Sequence, residues 1–429
     1  MVSSPSSFGG STFFKVSFFV FIFSCVSLPS GSLFGVPLRI LCSLIVLSAF
    51  AFDLVWRGVV SYRLTLIGIS FLLFIAFYGT LGEVNGYPGY SVQGELLDVV
   101  STFFPIFFGL YLCSDSRNIP SLIKVFVLSG AVHAAIKVSF FSLIYSGLLS
   151  FSDFLDVHNK IFDLVPITTV VGEFTRINVV NDFILPLLLV FLALHDGWSR
   201  WVRWLLYSLV LCALIISYSR YLWFFSISIL AFAFFFRFWS LKAFLSALFV
   251  VLVLSIFFFF NFELVKEFFL ERYFGEKAEY SDSFRRDMFP YLLGMIEESP
   301  WIGNGFGAYS EQYFRFEENP WLYELQWVSW VKDVGLLGFL VTIFCIYSYL
   351  GFSSLNWRFF LWKNYVWALS CALWFVIGFF NCFLLGPAAG GIVLFLWLLR
   401  VGYCAHKEER GKPMYSRPQG NFLRADSVS

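Results

Sequence analysis

Two arginines, a glutamate and a run of alternating glycines are the residues whose types and spacing could do chemistry in this chain. Arg285, Gly303-Asn304-Gly305-Phe306-Gly307 and Glu324 fall in one long polar stretch, roughly residues 263–332, and Arg220 closes the short segment Ile216-Ser217-Tyr218-Ser219-Arg220. Arginine presents a planar fork that matches phosphate oxygens, and it stabilises the charge that develops as a diphosphate leaves. Arg286 offers the same chemistry one residue on. Blander roles stay open: Arg220 can snorkel to an interface, and Arg285 can pair with Asp282 or Glu297 on a loop surface. A helix over about Trp321 to Val331 puts Glu324 on one face with Trp327, Val328 and Val331. A carboxylate on an apolar face is costly to bury, and desolvation would raise its pKa, as suits a general base; alternatively it points to water. The glycines Gly303, Gly305 and Gly307 permit a tight turn with close backbone approach. They follow no strand, so a dinucleotide site is not supported. They act either as a weak phosphate cradle or as a turn joining two loop helices. The first of those helices runs from Phe284 to about Glu298, is interrupted near Pro290, and is stopped by Ser299-Pro300. The Trp-, Tyr- and Phe-rich stretch 301–330 suits sugar stacking or an interfacial aromatic belt.

Other chemistries lack their residues. The eight cysteines, at 25, 42, 113, 212, 345, 371, 382 and 404, form no Cys-x-x-Cys pair and avoid the long polar loops, which argues against a disulfide framework or structural zinc. The four histidines, at 133, 158, 195 and 406, are scattered, so no metal site is expected. No Walker A sequence and no Asp-x-Asp pair occur, and no cofactor is implied.

The elements that must position these residues are membrane helices. Of 429 residues, 59% are hydrophobic and 13% charged, against roughly 25% charged in soluble chains. About twelve apolar runs approach the length of a bilayer span, near 13–28, 36–55, 64–81, 98–113, 121–149, 179–194, 201–217, 220–236, 242–262, 333–352, 362–384 and 387–403. The first could also be a signal segment, but Ser-Leu-Pro-Ser at 27–30 is a poor cleavage site. With the N-terminus inside, alternate junctions carry Arg57 and Arg63, Arg117 and Lys124, Arg200 and Arg203, Arg237 and Lys242, and Arg358 and Lys363. The intervening loop at 82–97 holds acids such as Glu83 and Glu95, with Asp98 beside it, and no Lys or Arg. The positive-inside rule then places both termini in the cytoplasm. The expected fold is an all-α polytopic membrane protein forming a single transmembrane domain over residues 1–429. It has periplasmic loops at 150–178 and 263–332, the latter holding short helices, and a basic cytoplasmic tail at 404–429. Few charges fall inside the apolar runs, which speaks against a transporter.

The motifs resemble the O-antigen polymerase and O-antigen ligase superfamily. The ligases carry His, then Asn, Ser or Gln, then nine residues, then Gly-x-x-Gly. Here the glycines fall on Gly335 and Gly338, the His position on Glu324 and the next on Leu325. Arg285, followed fifteen residues later by Pro300-Trp-Ile-Gly303-Asn-Gly305, resembles the family's Arg–helix–Pro–Gly–x–Gly pattern, and Ser219-Arg220 its Ser-Arg element. Thr175-Arg176-Ile-Asn-Val-Val-Asn181-Asp182 is a looser match to a basic residue and an Asn before a membrane run. The resemblance covers about residues 170–340. It implies a GT-C-like membrane glycosyltransferase in a bacterial inner membrane, acting on the periplasmic side without a metal. The implied partners are polyprenyl-diphosphate-linked oligosaccharides as donor and acceptor, membrane lipids and a chain-length regulator. In that role Arg220, Arg285 and Arg176 hold the diphosphate and Glu324 takes the proton from the attacking hydroxyl. Loss of the ligase His favours a polymerase; a ligase, or from another class a lipid-linked glycan flippase, is the alternative.

Overall fold

The computed structural model describes residues 10–28, 30, 32–57, 62–162, 167–171, 174–194, 199–237, 276–313, 319–351, 362–379 and 384–411. Apolar runs become helices because a backbone without water must satisfy its own polar groups. In chain order they are α1 (Thr12–Ser27), α2 (Leu38–Arg57), α3 (Tyr62–Val84), α4 (Gly89–Cys113), α5 (Ile119–Tyr145), α6 (Phe151–Phe162), α7 (Ile184–Leu194), α8 (Arg200–Ser217), α9 (Arg220–Arg237), α10 (Glu276–Glu298), α11 (Gln326–Leu350), α12 (Trp362–Ile377) and α13 (Pro387–Gly411). Eleven of the twelve expected runs coincide with a helix; the ninth, 242–262, lies outside the described residues.

Among the described residues six segments are long and apolar enough to cross a membrane: Leu38–Trp56, Tyr62–Val84, Gly89–Cys113, Ser116–Tyr145, Arg200–Ser217 and Gln326–Leu350. The apolar parts of α1, α7, α9, α12 and α13 are shorter. Leu44, Leu72, Leu73, Phe77, Leu340 and Phe344 remain exposed on α2, α3 and α11, a surface that lipid would cover. Inside, α4 packs on α13, α1 on α2 and α5, α5 on α8, and α9 on α7 and α12. Small residues allow the closest approaches. A Cβ at Gly390 would come within 2.0 Å of the Thr102 carbonyl oxygen, and one at Gly130 within 2.5 Å of the Leu188 side chain.

The structure departs from the sequence reading in three elements. The segment 150–178 is not purely helical: after α6 it forms an antiparallel hairpin, β1 (Ile167–Val171) and β2 (Phe174–Asn178), with Thr169 opposite Arg176. Its β-branched composition favours strands. The loop expected at 82–97 shrinks to the turn between α3 and α4, so Glu95 and Asp98 lie within a helix. Finally, α10 runs unbroken past Pro290 to Glu298.

One end of the bundle collects the α3–α4 turn, the α8–α9 turn, residues 299–313 and 319–325, and residues 378–379 and 384–386 between α12 and α13. Asn85 donates to the Asn304 carbonyl at 2.9 Å, and Trp327 N–H to the Gly378 carbonyl at 3.0 Å. At the same end α11 is broken at Gly335, whose backbone (φ 65°, ψ 179°) lies in a region open essentially to glycine. The break lets Leu336 and Leu337 N–H donate to the Pro300 and Trp301 carbonyls at 2.9 and 3.2 Å.

Candidate active site

A chain of ion pairs links four side chains at this end, drawn from three separate elements. Arg220 is the first residue of α9. The α8–α9 connection is only Tyr218 and Ser219, and Tyr218 holds a left-handed backbone (φ 49°, ψ 36°) that is unfavourable for a non-glycine residue. The bend is held by its ring, buried edge-on against Trp223 at 5.4 Å, and by the Trp223 indole donating to the Leu214 carbonyl at 2.8 Å. Arg220 thereby meets Asp282 of α10 in a two-bond fork, Nη2 to Oδ1 at 3.0 Å and Nη1 to Oδ2 at 3.2 Å. Arg285, one turn further along α10, donates from Nη1 to the same Oδ1 at 2.9 Å. Its Nε lies 2.7 Å from Oε2 of Glu324. Arg220, Arg285 and Glu324 are thus brought together, with Asp282 as the link. Arg286 points to solvent.

Glu324 does not sit on a helix. The helix starts at Gln326, and Glu324 occupies the bend before it. Local packing explains the late start. Tyr323 is buried against Met288 and Leu292 of α10; its hydroxyl accepts from Ser310 N–H at 2.9 Å and donates to the Tyr313 carbonyl at 3.3 Å. Those bonds anchor the chain just before α11. In place of the expected apolar helical face, Glu324 stands in a bend where its carboxylate, 11% exposed, meets a guanidinium. Burial pushes the Tyr323 phenol up, with the Lys332 ammonium opposing, so the ring remains a neutral hydrogen-bonding anchor.

The glycine run is a docked strap. Gly303, Gly305 and Gly307 have φ of 83°, 84° and 81°. Asn304 and Gly305 N–H donate to the Lys332 and Asp333 carbonyls at 2.9 Å each, Phe306 N–H to the Tyr78 carbonyl at 2.9 Å, and Gly307 N–H to Glu95 Oε2 at 2.6 Å. Four consecutive amides therefore already have protein acceptors, which removes the donors a phosphate cradle would need. The turn reading is the one the geometry fits. The strap also covers a buried polar cluster. Lys332 bonds to Asp333 and to the Ala308 carbonyl, Glu95 receives Gly307 N–H, and a cavity between Glu95, Asp333, Trp321 and Trp330 has room for about one water, some 10 Å³.

Arg176 lies on β2, and its side chain lies outside the described residues. Ile177 beside it packs with Ile216 at the end of α8, so the hairpin sits next to the turn that carries Arg220. Asn181 donates to the Cys25, Val26 and Leu28 carbonyls of the α1 terminus at 3.0, 3.0 and 2.9 Å. Asp182 pairs with His133 Nε2 at 3.0 Å and Lys137 Nζ at 2.5 Å, all three buried.

Sequence reasoning missed three things here. From sequence Asp282 offers itself only as a partner for Arg285, because nothing in the sequence brings α9 beside α10. Glu95 reads as a loop acid, although Ser91, Glu95, Asp98 and Thr102 repeat at helical spacing and mark one polar face. His133 and Lys137, four residues apart on α5, likewise signal an internal polar pair with Asp182. Charge inside the bundle is therefore not sparse, and that part of the argument against a transporter falls. Among the described residues no three His, Cys, Asp or Glu side chains converge on a metal-sized site.

Residues 205–343 match the O-antigen ligase family model. The match supports the O-antigen ligase/polymerase superfamily, whose members are glycosyltransferase-like enzymes of polysaccharide assembly. It spans Arg220, Asp282, Arg285, the glycine strap, Glu324 and Gly335, and leaves Arg176 outside. No curated protein and no solved structure matches the chain.

Proposed function

We propose that this chain polymerises O-antigen or a related surface polysaccharide, transferring a glycan from a polyprenyl diphosphate carrier to the sugar hydroxyl of another lipid-linked repeat unit. The observation that carries the reading is the Arg220–Asp282–Arg285–Glu324 chain. Two arginines alternate with two carboxylates, Asp282 between them and Glu324 at the end, all within the stretch that matches the family. Arg220 and Arg285, with Arg176 from the adjoining hairpin, hold the donor diphosphate and stabilise its charge as the anomeric C–O bond breaks. Glu324 takes the proton from the attacking hydroxyl as the new C–O bond forms. Arg285 is shared between Asp282 and Glu324, so a diphosphate that draws it away also leaves the Glu324 carboxylate open to the acceptor. With Glu324 as the base and the Asp282 carboxylate held by the two arginines, no carboxylate is assigned as nucleophile, and this reading implies inversion at the anomeric carbon.

In this reading the fold is a GT-C-like twelve-helix membrane glycosyltransferase. The ion-pair chain faces the periplasm, both termini lie in the cytoplasm, and the charge stabilisation comes from arginines in place of a metal. Glu324, standing where the ligases carry His, favours polymerase over ligase. The test is Glu324→Gln in a strain that depends on this gene. With the general base removed, turnover should fall by about 10²- to 10⁴-fold. Long chains should then vanish from the lipopolysaccharide ladder while single-repeat forms remain. Loss of every decorated form would point to the ligase, and an unchanged ladder would remove Glu324 from the mechanism. Purified wild-type protein given lipid-linked repeat units should lengthen them; a flippase would not.

A further inference from the structure

Asp282 lies between the two arginines and bonds to both. Its Oδ1 receives Arg220 Nη2 at 3.0 Å and Arg285 Nη1 at 2.9 Å, and its Oδ2 receives Arg220 Nη1 at 3.2 Å. The carboxylate is held by a two-nitrogen fork from one helix and a single guanidinium nitrogen from another, donors that the oxygens of a phosphate group can also accept. The two arginines are largely covered, 25% and 20% exposed, whereas Asp282 is 47% exposed. The anion is therefore the most exposed member of the trio and the one most open to exchange. Asp282 is also one helical turn from Arg285, so it can swing out by a side-chain rotation while the helix stays in place.

We infer that Asp282 is a resident anion, a built-in competitor that keeps Arg220 and Arg285 at diphosphate spacing while the site is empty and is displaced when the diphosphate enters. This rests on the arginine pair being the diphosphate site. Such a group has two consequences. It holds two like charges close together without a ligand, which they would otherwise resist. It also sets the affinity for diphosphate below what the arginines alone would give, which favours release of the spent carrier.

The experiment measures binding of inorganic diphosphate to the full chain in lipid nanodiscs by calorimetry. Asp282→Asn keeps the shape and removes the charge. Exposed ion pairs of this kind are individually weak, so diphosphate should bind about two- to fivefold more tightly than to wild type. Asp282→Glu, which retains the competing charge, should stay near wild type and separates loss of charge from general disturbance of the helix. Equal or weaker binding by the Asn variant, with wild type still binding, overturns the inference and leaves the diphosphate reading intact. Failure of wild type and Asn variant alike to bind diphosphate overturns both.

Discussion

Arg220 and Arg285 use different parts of the same group. Arg220 turns a terminal fork on Asp282, whereas Arg285 divides itself, one terminal nitrogen to Asp282 and Nε to Glu324. A lysine cannot reproduce either arrangement, because its ammonium is a point charge without a planar fork. Arg220→Lys should therefore keep the protein folded but lower kcat/KM for the lipid-linked donor by about 10- to 100-fold, the worth of hydrogen bonds to a charged group. Steady-state kinetics on the purified variant check this, and a wild-type value would exclude Arg220 from diphosphate binding. At this scale the sequence was informative about residue type and poor about partners. Arg220 stands out as a charge at the edge of an apolar run, and Arg285 and Glu324 by their motif spacing within the long polar stretch. That one aspartate joins the first two depends on how α9 and α10 approach each other, and no spacing encodes that.

The elements that aim these residues are held by unusual backbone as much as by packing. Strap residue Gly305 makes the point: a Cβ there would sit 2.1 Å from Gly82 N and 2.6 Å from Gly82 Cα, and its φ is 84°. Gly305→Ala combines a backbone clash with a strained conformation, itself about 1–3 kcal/mol. The thermal unfolding midpoint should fall clearly and activity with it. Gly294→Ala on α10, where an added Cβ meets nothing within 4 Å, should be neutral or slightly stabilising. Equal effects of the two would mean the strap is not seated as described. Helices were readable in the sequence because long apolar runs leave the backbone no other solution. Their ends near the site were not. Glu324 looked helical from spacing, but burial of Tyr323 and Trp321 delays the helix to Gln326. Glu95 looked like a loop residue because its acidity interrupts an apolar run, although the carboxylate is buried against Gly307.

Across the whole molecule, the helices are tied by buried polar contacts set far apart in sequence. Asp182 is the most exacting of these, since it is fully buried between His133 and Lys137 of α5 and also receives Val179 N–H at 3.1 Å. Asp182→Asn would leave the Lys137 ammonium without its counter-charge in the core, a loss of about 3–5 kcal/mol. A lower yield and a lower unfolding midpoint in detergent should follow, and adding Lys137→Met should restore much of the stability. A double variant no better than the single one would show that the charge pair is not the source. The same logic of long-range ties gives the glycine strap a measurable signature. Its amides from Asn304 to Gly307 are donated to a neighbouring helix carbonyl or to the Glu95 carboxylate. In hydrogen–deuterium exchange those four amides should hold their protons about as long as the helices they join, because exposing them requires α3, α4 and α11 to part. The stretch that reads most like open loop is then among the last of that face to admit water.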